Sequence, residues 1–556
     1  MSVQAVKHGP GEWANWSENL CGWAAEQVTF AGRAAPNGAL AWCRAAGDEW
    51  RKLLGAAAAQ DRDLRPFGGG WSFTGILATN GVLAQTSGLG RMFRACPTWF
   101  RPGVGSLADA LVLVGGGVSV RKLNRWLRAQ KLSLVNSGAS DGQSIAGAIA
   151  TGTHGSRPAL GGMQAQVMAV HLIGGPDRAW WLERPSAVPG GPLLTDEAVR
   201  ALGVDLSQPA PAGAFEAAQV HLGGLGVVNA VLLRVRPRRR FRVIKAKAKL
   251  DRAALTLLQA GKFLEFAARA APQAPDLTDP DFVQVILNPF DPYGEIALVD
   301  LLFEDFSLVP PPLWKAPISL EPLELVGQFT RANPHLRRWA VTTMMKTIYR
   351  EVPDRPDQRA YKHWDELMGR PVHDRMGQLF TAAVAVERSN LMRTVDVMHE
   401  AFVRHGGGDL VFTLRFVRGG EGTLAFTRFD HNVVIDMDGI RTEASKIAAA
   451  RVFDELEASG IPFSYHWGKV GRIDADKIGR DYGRGAGGVS PLSSWKAARA
   501  MLLDPRLHRV FGGDALKSWG LTCPPAPTPA AATAAARPTG QARSRPASAG
   551  EAADRA

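Results

Sequence analysis

Long apolar runs are missing from this 556-residue chain. No window approaches the roughly 18 consecutive apolar residues of a membrane-spanning helix. The opening Met1-Ser2-Val3-Gln4 lacks the charged and then apolar pattern of a secretory signal. Cysteine is scarce: Cys21, Cys43, Cys96 and Cys523 have no C-x-x-C spacing and no histidine partner pattern. That excludes a disulfide framework and argues against a structural zinc site, so no metal is expected. A cytoplasmic, reduced location is the default expectation. Also missing are a G-x-G-x-x-G turn opening a βαβ unit and a GK[ST] phosphate loop, which excludes the two commonest nucleotide cradles.

What is present has the texture of a folded protein, with 46% apolar and 21% charged residues. The length implies two or more domains. A formal net charge of +13 raises the question of a polyanion partner, and the densest basic run, Arg236 to Lys249, holds eight Lys or Arg. Arg242, Lys245, Lys247 and Lys249 alternate in part with apolar residues, however, as on the wet face of a strand, so no nucleic-acid partner is expected. From Pro524 to Ala556 there are 13 Ala and 6 Pro among 33 residues and no aromatic, too little surface to offset ordering entropy. Residues 523–556 are therefore read as a disordered tail.

The first half mixes short apolar strands, glycine-rich turns and helices, which points to an α+β fold. Leu123, Trp126 and Leu127 mark a helix over 120–132, and the β-branched stretch 227–235 a strand. After about residue 240 the texture changes. One helix is expected over 253–269, and strands 282–287 and 296–303 flank the turn Asp291-Pro292-Tyr293-Gly294 as a hairpin. Strands over 380–386 and 411–417 and helices over 391–402 and 444–458 follow.

Three segments carry chemistry. In Gly68-Gly69-Gly70-Trp71-Ser72-Phe73, consecutive glycines let the backbone approach a ligand and turn its N–H groups inward, a nest that suits a pyrophosphate; a plain turn is the alternative for the triple glycine alone. The second, Ala146-Gly147-Ala148-Ile149-Ala150-Thr151-Gly152-Thr153-His154-Gly155-Ser156, combines small residues with hydroxyl donors, as needed beside a large planar cofactor. The third is Gly223-Gly224-Leu225-Gly226-Val227-Val228, leading into the strand before the change of texture.

Together with Trp13-Ala14-Asn15-Trp16-Ser17 and His466-Trp467-Gly468-Lys469, these segments stand in an order that resembles the FAD-linked oxidases of the vanillyl-alcohol oxidase superfamily, in the branch of aldonolactone oxidases, alditol oxidases and one type of cholesterol oxidase. The resemblance spans nearly the whole folded chain. It implies a PCMH-type two-subdomain FAD module interrupted by an inserted α+β cap: residues 1–240 and the return 466–522 for the module, 241–465 for the substrate-binding cap. It further implies that Gly68 to Phe73 cradle the FAD pyrophosphate, that Ala146 to Ser156 line flavin and phosphates, and that Gly224, Gly226 and Val227 approach the adenine end.

Two departures from the family stand out. Many relatives carry a flavin-linked histidine where this chain has Trp71, and the other attachment residue, a cysteine within 138–147, is absent, so FAD should be held noncovalently; His154 is the fallback. Relatives acting on polyols or lactones commonly have Glu-x-Arg, whereas this chain has Thr413-Leu414-Arg415. Arg415 is kept without the carboxylate, which leaves the sugar-like substrate open and admits a larger apolar alcohol.

The resemblance implies oxidation of a CH–OH group, with an aldonolactone or polyol-like substrate first. Negative charge developing on a flavin calls for fixed cations, and Lys469 and Arg415 are the candidates. His466 is the candidate proton acceptor on its ordinary pKa, with a packed or backbone-bonded histidine equally compatible, and His431 and Glu387 are alternatives. Gly138 resembles the small residue that leaves oxygen a path to the flavin, although a glycine turn explains it as well. Molecular oxygen is the expected acceptor, and a flavin-binding accessory protein without turnover is the remaining reading.

Overall fold

The computed structural model describes residues 3–31, 38–185, 192–294, 296–306, 326, 329–347, 351–352, 354, 359–368, 379–485 and 489–522. The proposed tail, 523–556, lies outside the described residues. Three sheets organise the rest. A four-stranded sheet has the order Gln4–His8, Glu26–Ala31, Val82–Gln85, Leu64–Phe67, with parallel pairing at its centre. The helix Ala39–Ala59 buries Trp42, Cys43, Trp50 and Leu54 in a core shared with Val28, Leu64 and Val82 of this sheet. A six-stranded antiparallel sheet is centred on Val227–Pro237, which pairs with Val167–Ile173 on one side and Leu111–Gly115 on the other. Val227–Pro237 is buried on both faces over its first seven residues, which is why its sequence reads as an unbroken apolar run rather than an alternation.

The third sheet has eight antiparallel strands in the order Ala360–His363, Arg240–Ala248, Ala297–Asp305, Phe282–Leu287, Leu410–Arg418, His431–Ile440, Leu379–Glu387, Phe463–Tyr465. Side chains alternate across its faces. Val283, Val285, Leu301, Phe412, Leu414, Ile435 and Met437 enter a core with Leu258, Phe266, Met398, Phe402 and Val452 of the helices. The opposite face presents Gln284, Asp300, Thr413, Arg415, Asp436 and Asp438. After Phe463–Tyr465 the chain returns to the glycine loop: the Phe73 N–H donates to the Gly468 carbonyl at 2.9 Å, and Thr74 Oγ1 to the Trp467 carbonyl at 2.9 Å. Trp495, Leu502, Leu516 and Trp519 then complete the core of the six-stranded sheet.

Three expectations need correction. The helix over 253–269 is two, Arg252–Ala260 and Phe263–Ala270, because Gly261 adopts a left-handed conformation (φ 75°) that ends the first. The helix near 120 runs only Val120–Ala129 and keeps Trp126 partly exposed. The basic strand Arg240–Ala248 is not simply wet: Arg242 is buried, its Nε donating to Asp354 Oδ1 at 2.9 Å and its Nη2 pairing with Oδ2, while Lys245 faces an internal cavity. No helix among the described residues is long and apolar enough to cross a membrane.

Candidate functional site

A cavity of about 1030 Å³ runs from the glycine loops to the eight-stranded sheet. Its first end is backbone. Gly70 has φ +66°, and a Cβ at Gly68 would lie 2.0 Å from Ser144 Oγ, one at Gly69 2.3 Å from the Gly142 carbonyl. The first loop thus lies directly against the segment 138–147, a separation only glycine allows. The tryptophan motif explains why the loop holds this shape. The Trp16 N–H donates to the Gly70 carbonyl (2.8 Å), Asn15 Nδ2 to the Ser72 carbonyl (2.8 Å) and Asn19 Nδ2 to the Phe73 carbonyl (3.1 Å). The rings of Trp16 and Trp71 stack at 4.0 Å and 11°.

Most residues singled out from the sequence meet on this wall. Gly68, Gly69, Gly70, Trp71, Ser72, Phe73, Gly138, Ala146, Gly147, Thr151, Thr153, His154 and Gly226 line the cavity, as do Lys469, Arg415 and His466. Four others do not. A Cβ on Gly152 would meet Phe426, on Gly155 Asn136 Oδ1 at 2.5 Å, and on Gly224 Trp495 at 2.9 Å, so these glycines serve packing. Val227 points into the core behind the wall because side chains alternate, and its neighbours Gly226 and Val228 face the cavity instead. His431 and Glu387 sit at the exposed ends of their strands, outside the cavity lining.

The other end of the cavity is made of charge, and here the sequence reading missed the central residue. Asp436 has no solvent exposure; its Oδ1 accepts from Lys469 Nζ at 2.7 Å and its Oδ2 lies 2.7 Å from Arg415 Nε. Burial favours the neutral acid, but the Lys469 ammonium and then the Arg415 guanidinium outweigh it and hold the Asp436 carboxyl below the ordinary carboxylate range. Register explains the arrangement: Asp436 is the Cα partner of Thr413, so the carboxylate missing from Thr413 is supplied by the adjacent strand. The polar row continues with Gln284, a Cα partner of both Arg415 and Asp300. Gln284 Nε2 donates to Asp300 Oδ2 at 3.2 Å, and Lys245 Nζ lies 3.4 Å from Asp300 Oδ1. A signal was available: each of these strands carries one or more polar residues set singly between apolar ones, which a buried face tolerates only when the group is partnered.

Three histidines line the cavity, and all are buried. Burial lowers the pKa of His154 to about 4 and of His221 to about 4; burial and then Lys469 put His466 well below 6.5. His466 Nδ1 accepts from the Gly468 N–H at 3.0 Å, which leaves the proton on Nε2. A neutral imidazole so bonded is an orienting donor and a weak base, the backbone-bonded alternative foreseen for it. His154 makes the opposite choice, its Nδ1 donating to the Gly155 carbonyl at 2.8 Å.

The cavity suits a diphosphate-linked flavin on two further grounds. Arg65, directly before the glycine loop, is only 3% exposed; its Nη1 donates to the Gly223 carbonyl, whereas Nη2 has no partner among the described residues. Burial lowers its pKa to about 10, which still leaves it a cation. On the same wall Gln143 Oε1 is an unpartnered buried acceptor among the described residues. Neither residue was singled out from the sequence.

This architecture, an α+β flavin-binding fold with a second sheet roofing the cavity, is that of the PCMH-type flavoproteins. It superposes on cholesterol oxidase from Brevibacterium sterolicum with a TM-score of 0.63 at 15% identity, covering 93% of this chain and 97% of that one, and on a solvent-stable cholesterol oxidase with a TM-score of 0.62 at 14% identity, covering 92% and 97%. Residues 45–177 match the FAD binding domain family. L-gulono-1,4-lactone dehydrogenase of Mycobacterium tuberculosis is 30% identical over 189 residues, 34% of this chain and 36% of that protein. D-arabinono-1,4-lactone oxidase of Debaryomyces hansenii is 26% identical over 196 residues, 34% of this chain and 30% of that protein. The chain thus spans about a third of the length of the curated relatives it matches. Residues 45–177 thus match an FAD binding domain, within a chain whose fold is that of the cholesterol oxidases it superposes on.

Proposed function

We propose that the protein is an FAD-dependent oxidoreductase that oxidises a CH–OH group, with an aldonolactone or polyol-like substrate and molecular oxygen as acceptor. The observation that carries this reading is the Lys469–Asp436–Arg415 cluster in the same cavity as the glycine-lined wall. A buried triad of this kind is costly to assemble for a purely structural purpose. Residues 1–240 with 466–522 would form the FAD module, and 241–465 the cap. Gly68 to Ser72, Arg65, Gln143 and the segment 146–154 would hold FAD. The hold would be noncovalent, since Trp71 offers no linkage chemistry and 138–147 contains no cysteine.

Bound FAD supplies the hydride acceptor for alcohol oxidation. The chain's own residues do the rest. Lys469 and Arg415 present N–H donors and positive charge where a substrate oxygen would enter, and Asp436 fixes both in place. His466 offers an Nε2–H donor, and its neutrality keeps a third cation out of a crowded site. Asp436 supports the sugar-like substrate, because it returns the carboxylate that Thr413 lacks.

The test is to purify the protein, precipitate it with acid, and follow anaerobic bleaching of the flavin by L-gulono-1,4-lactone, xylitol and cholesterol, with peroxide measured on readmitting air. Yellow supernatant and bleaching by the lactone or the polyol are expected. Colour retained in the pellet would overturn noncovalent binding, and a flavin that none of these alcohols reduces would favour an accessory protein. A second reading, a larger apolar alcohol, draws on Val243, Phe282, Leu298, Leu302, Met344 and Met345 along the same cavity. Bleaching by cholesterol alone would select it.

A further inference from the structure

We propose that Asp438 is the proton acceptor for the substrate hydroxyl. The inference rests on the alcohol-oxidising reading above and identifies a residue that reading leaves open. Asp438 stands two positions after Asp436 on the strand His431–Ile440, so both carboxylates face the cavity about 7 Å apart along the strand. Their surroundings differ. Asp436 is sealed from solvent with each oxygen committed to a cation. Asp438 is half-buried: Oδ1 accepts from Thr381 Oγ1 at 2.6 Å, and Oδ2 has no hydrogen-bond partner among the described residues. Of the two, only Asp438 has an oxygen with neither a hydrogen bond nor an ion pair among the described residues.

The charges around it set its basicity. Burial and then the Asp436 carboxylate push the Asp438 carboxyl above its ordinary value, while Lys469, Arg415 and the Thr381 hydroxyl pull the other way and lose. A carboxylate whose conjugate acid is weakened in this manner accepts a proton better than an ordinary aspartate does, and two carboxyls driven apart are the usual division between a fixed charge and a proton carrier. The neutral histidines His154 and His466 are weaker bases. The balance of the step is simple. The substrate O–H bond breaks and its proton goes to Asp438 Oδ2; the C–H bond breaks and its electron pair leaves as hydride to the oxidised flavin. The product is a carbonyl, the flavin is reduced by two electrons, and Asp438 is left as the acid.

The experiment uses the holoprotein, its Asp438→Asn and its Asp438→Glu forms, with equal flavin content and far-ultraviolet dichroism as controls on folding. Asparagine keeps the acceptor for Thr381 and removes the base. Infrared difference spectra between about pH 4 and 9 should show a carboxylic-acid C=O band that titrates above the ordinary aspartate range in the parent and vanishes in Asp438→Asn. Anaerobic reduction by xylitol or L-gulono-1,4-lactone should fall by about a hundredfold or more in Asp438→Asn, lose its acidic limb, and recover in part in Asp438→Glu. Absence of the infrared band, or an unchanged acidic limb in Asp438→Asn, overturns the assignment alone. A flavin that neither alcohol reduces in the parent overturns the alcohol-oxidising reading and the base with it.

Discussion

The two ends of the cavity are built by different means. The glycine end is backbone: Gly68 to Gly70 against 138–147, tied down by the neighbouring Asn15, Trp16 and Asn19. The sheet end is side chains, with Lys245, Asp300, Gln284, Arg415 and Asp436 coming from five strands aligned only by register. A backbone wall tolerates no added atoms but carries little charge. A side-chain wall concentrates charge and depends on every partner being present. The first suits a fixed cofactor and the second a reaction in which charge moves.

Acid should reveal the largest effect, and at the junction of the two ends. His154 and His221 have folded pKa values of about 4 against an ordinary value near 6.5, so the neutral form is favoured in the folded protein. Their contribution to stability is complete above about pH 6.5 and is lost as pH falls through the folded values, on the order of 3 kcal/mol each. Thermal unfolding followed from pH 7 to about 4 should show the midpoint falling together with flavin release; a flat profile would mean that these imidazoles are not buried neutral.

At the sheet end, Asp436→Ala leaves two cations facing each other in a buried site and should destabilise the protein by about 3–5 kcal/mol in denaturant titration. Asp436→Asn should cost less, since the amide oxygen still accepts one hydrogen bond. Lys469→Met should leave FAD affinity near that of the parent yet slow flavin reduction by about a hundredfold, roughly 3 kcal/mol of barrier. Loss of FAD from Lys469→Met would blur the division between the two ends.

At the glycine end the expected effect is smaller and falls on binding. Gly68→Ala places a methyl 2.0 Å from Ser144 Oγ, and FAD affinity measured by fluorescence should drop about tenfold or more, which is about 1.4 kcal/mol. Ser144→Gly in the same chain should restore part of it. A Gly68→Ala protein that binds FAD as tightly as the parent would show that the close approach of the two loops is not part of the cofactor site.

The contrast also explains what could be read in advance. The glycine wall was legible because its residues are consecutive: a run of glycines gives its own backbone freedom for close approach, and Gly138, Ala146, Thr151 and His154 lie within one short stretch. Errors there were errors of facing. Gly152, Gly155, Gly224 and Val227 flank the wall but point into packing, and a one-residue offset decides that. Arg415 and Lys469 were legible as cations. Asp436 was not, because its relation to Thr413 exists only once two strands some twenty residues apart are in register.

By itself, then, the sequence determined the α+β class, the glycine-rich loops that line the cavity and the change of texture after about residue 240, since local backbone freedom and side-chain periodicity act over a few neighbouring residues. Only the tertiary structure decided which carboxylate meets Arg415 and Lys469, which histidines are neutral, and which oxygen of Asp438 accepts from Thr381. Those are consequences of burial and of cross-strand distance, quantities that belong to pairs of residues brought together by folding rather than to any stretch of chain.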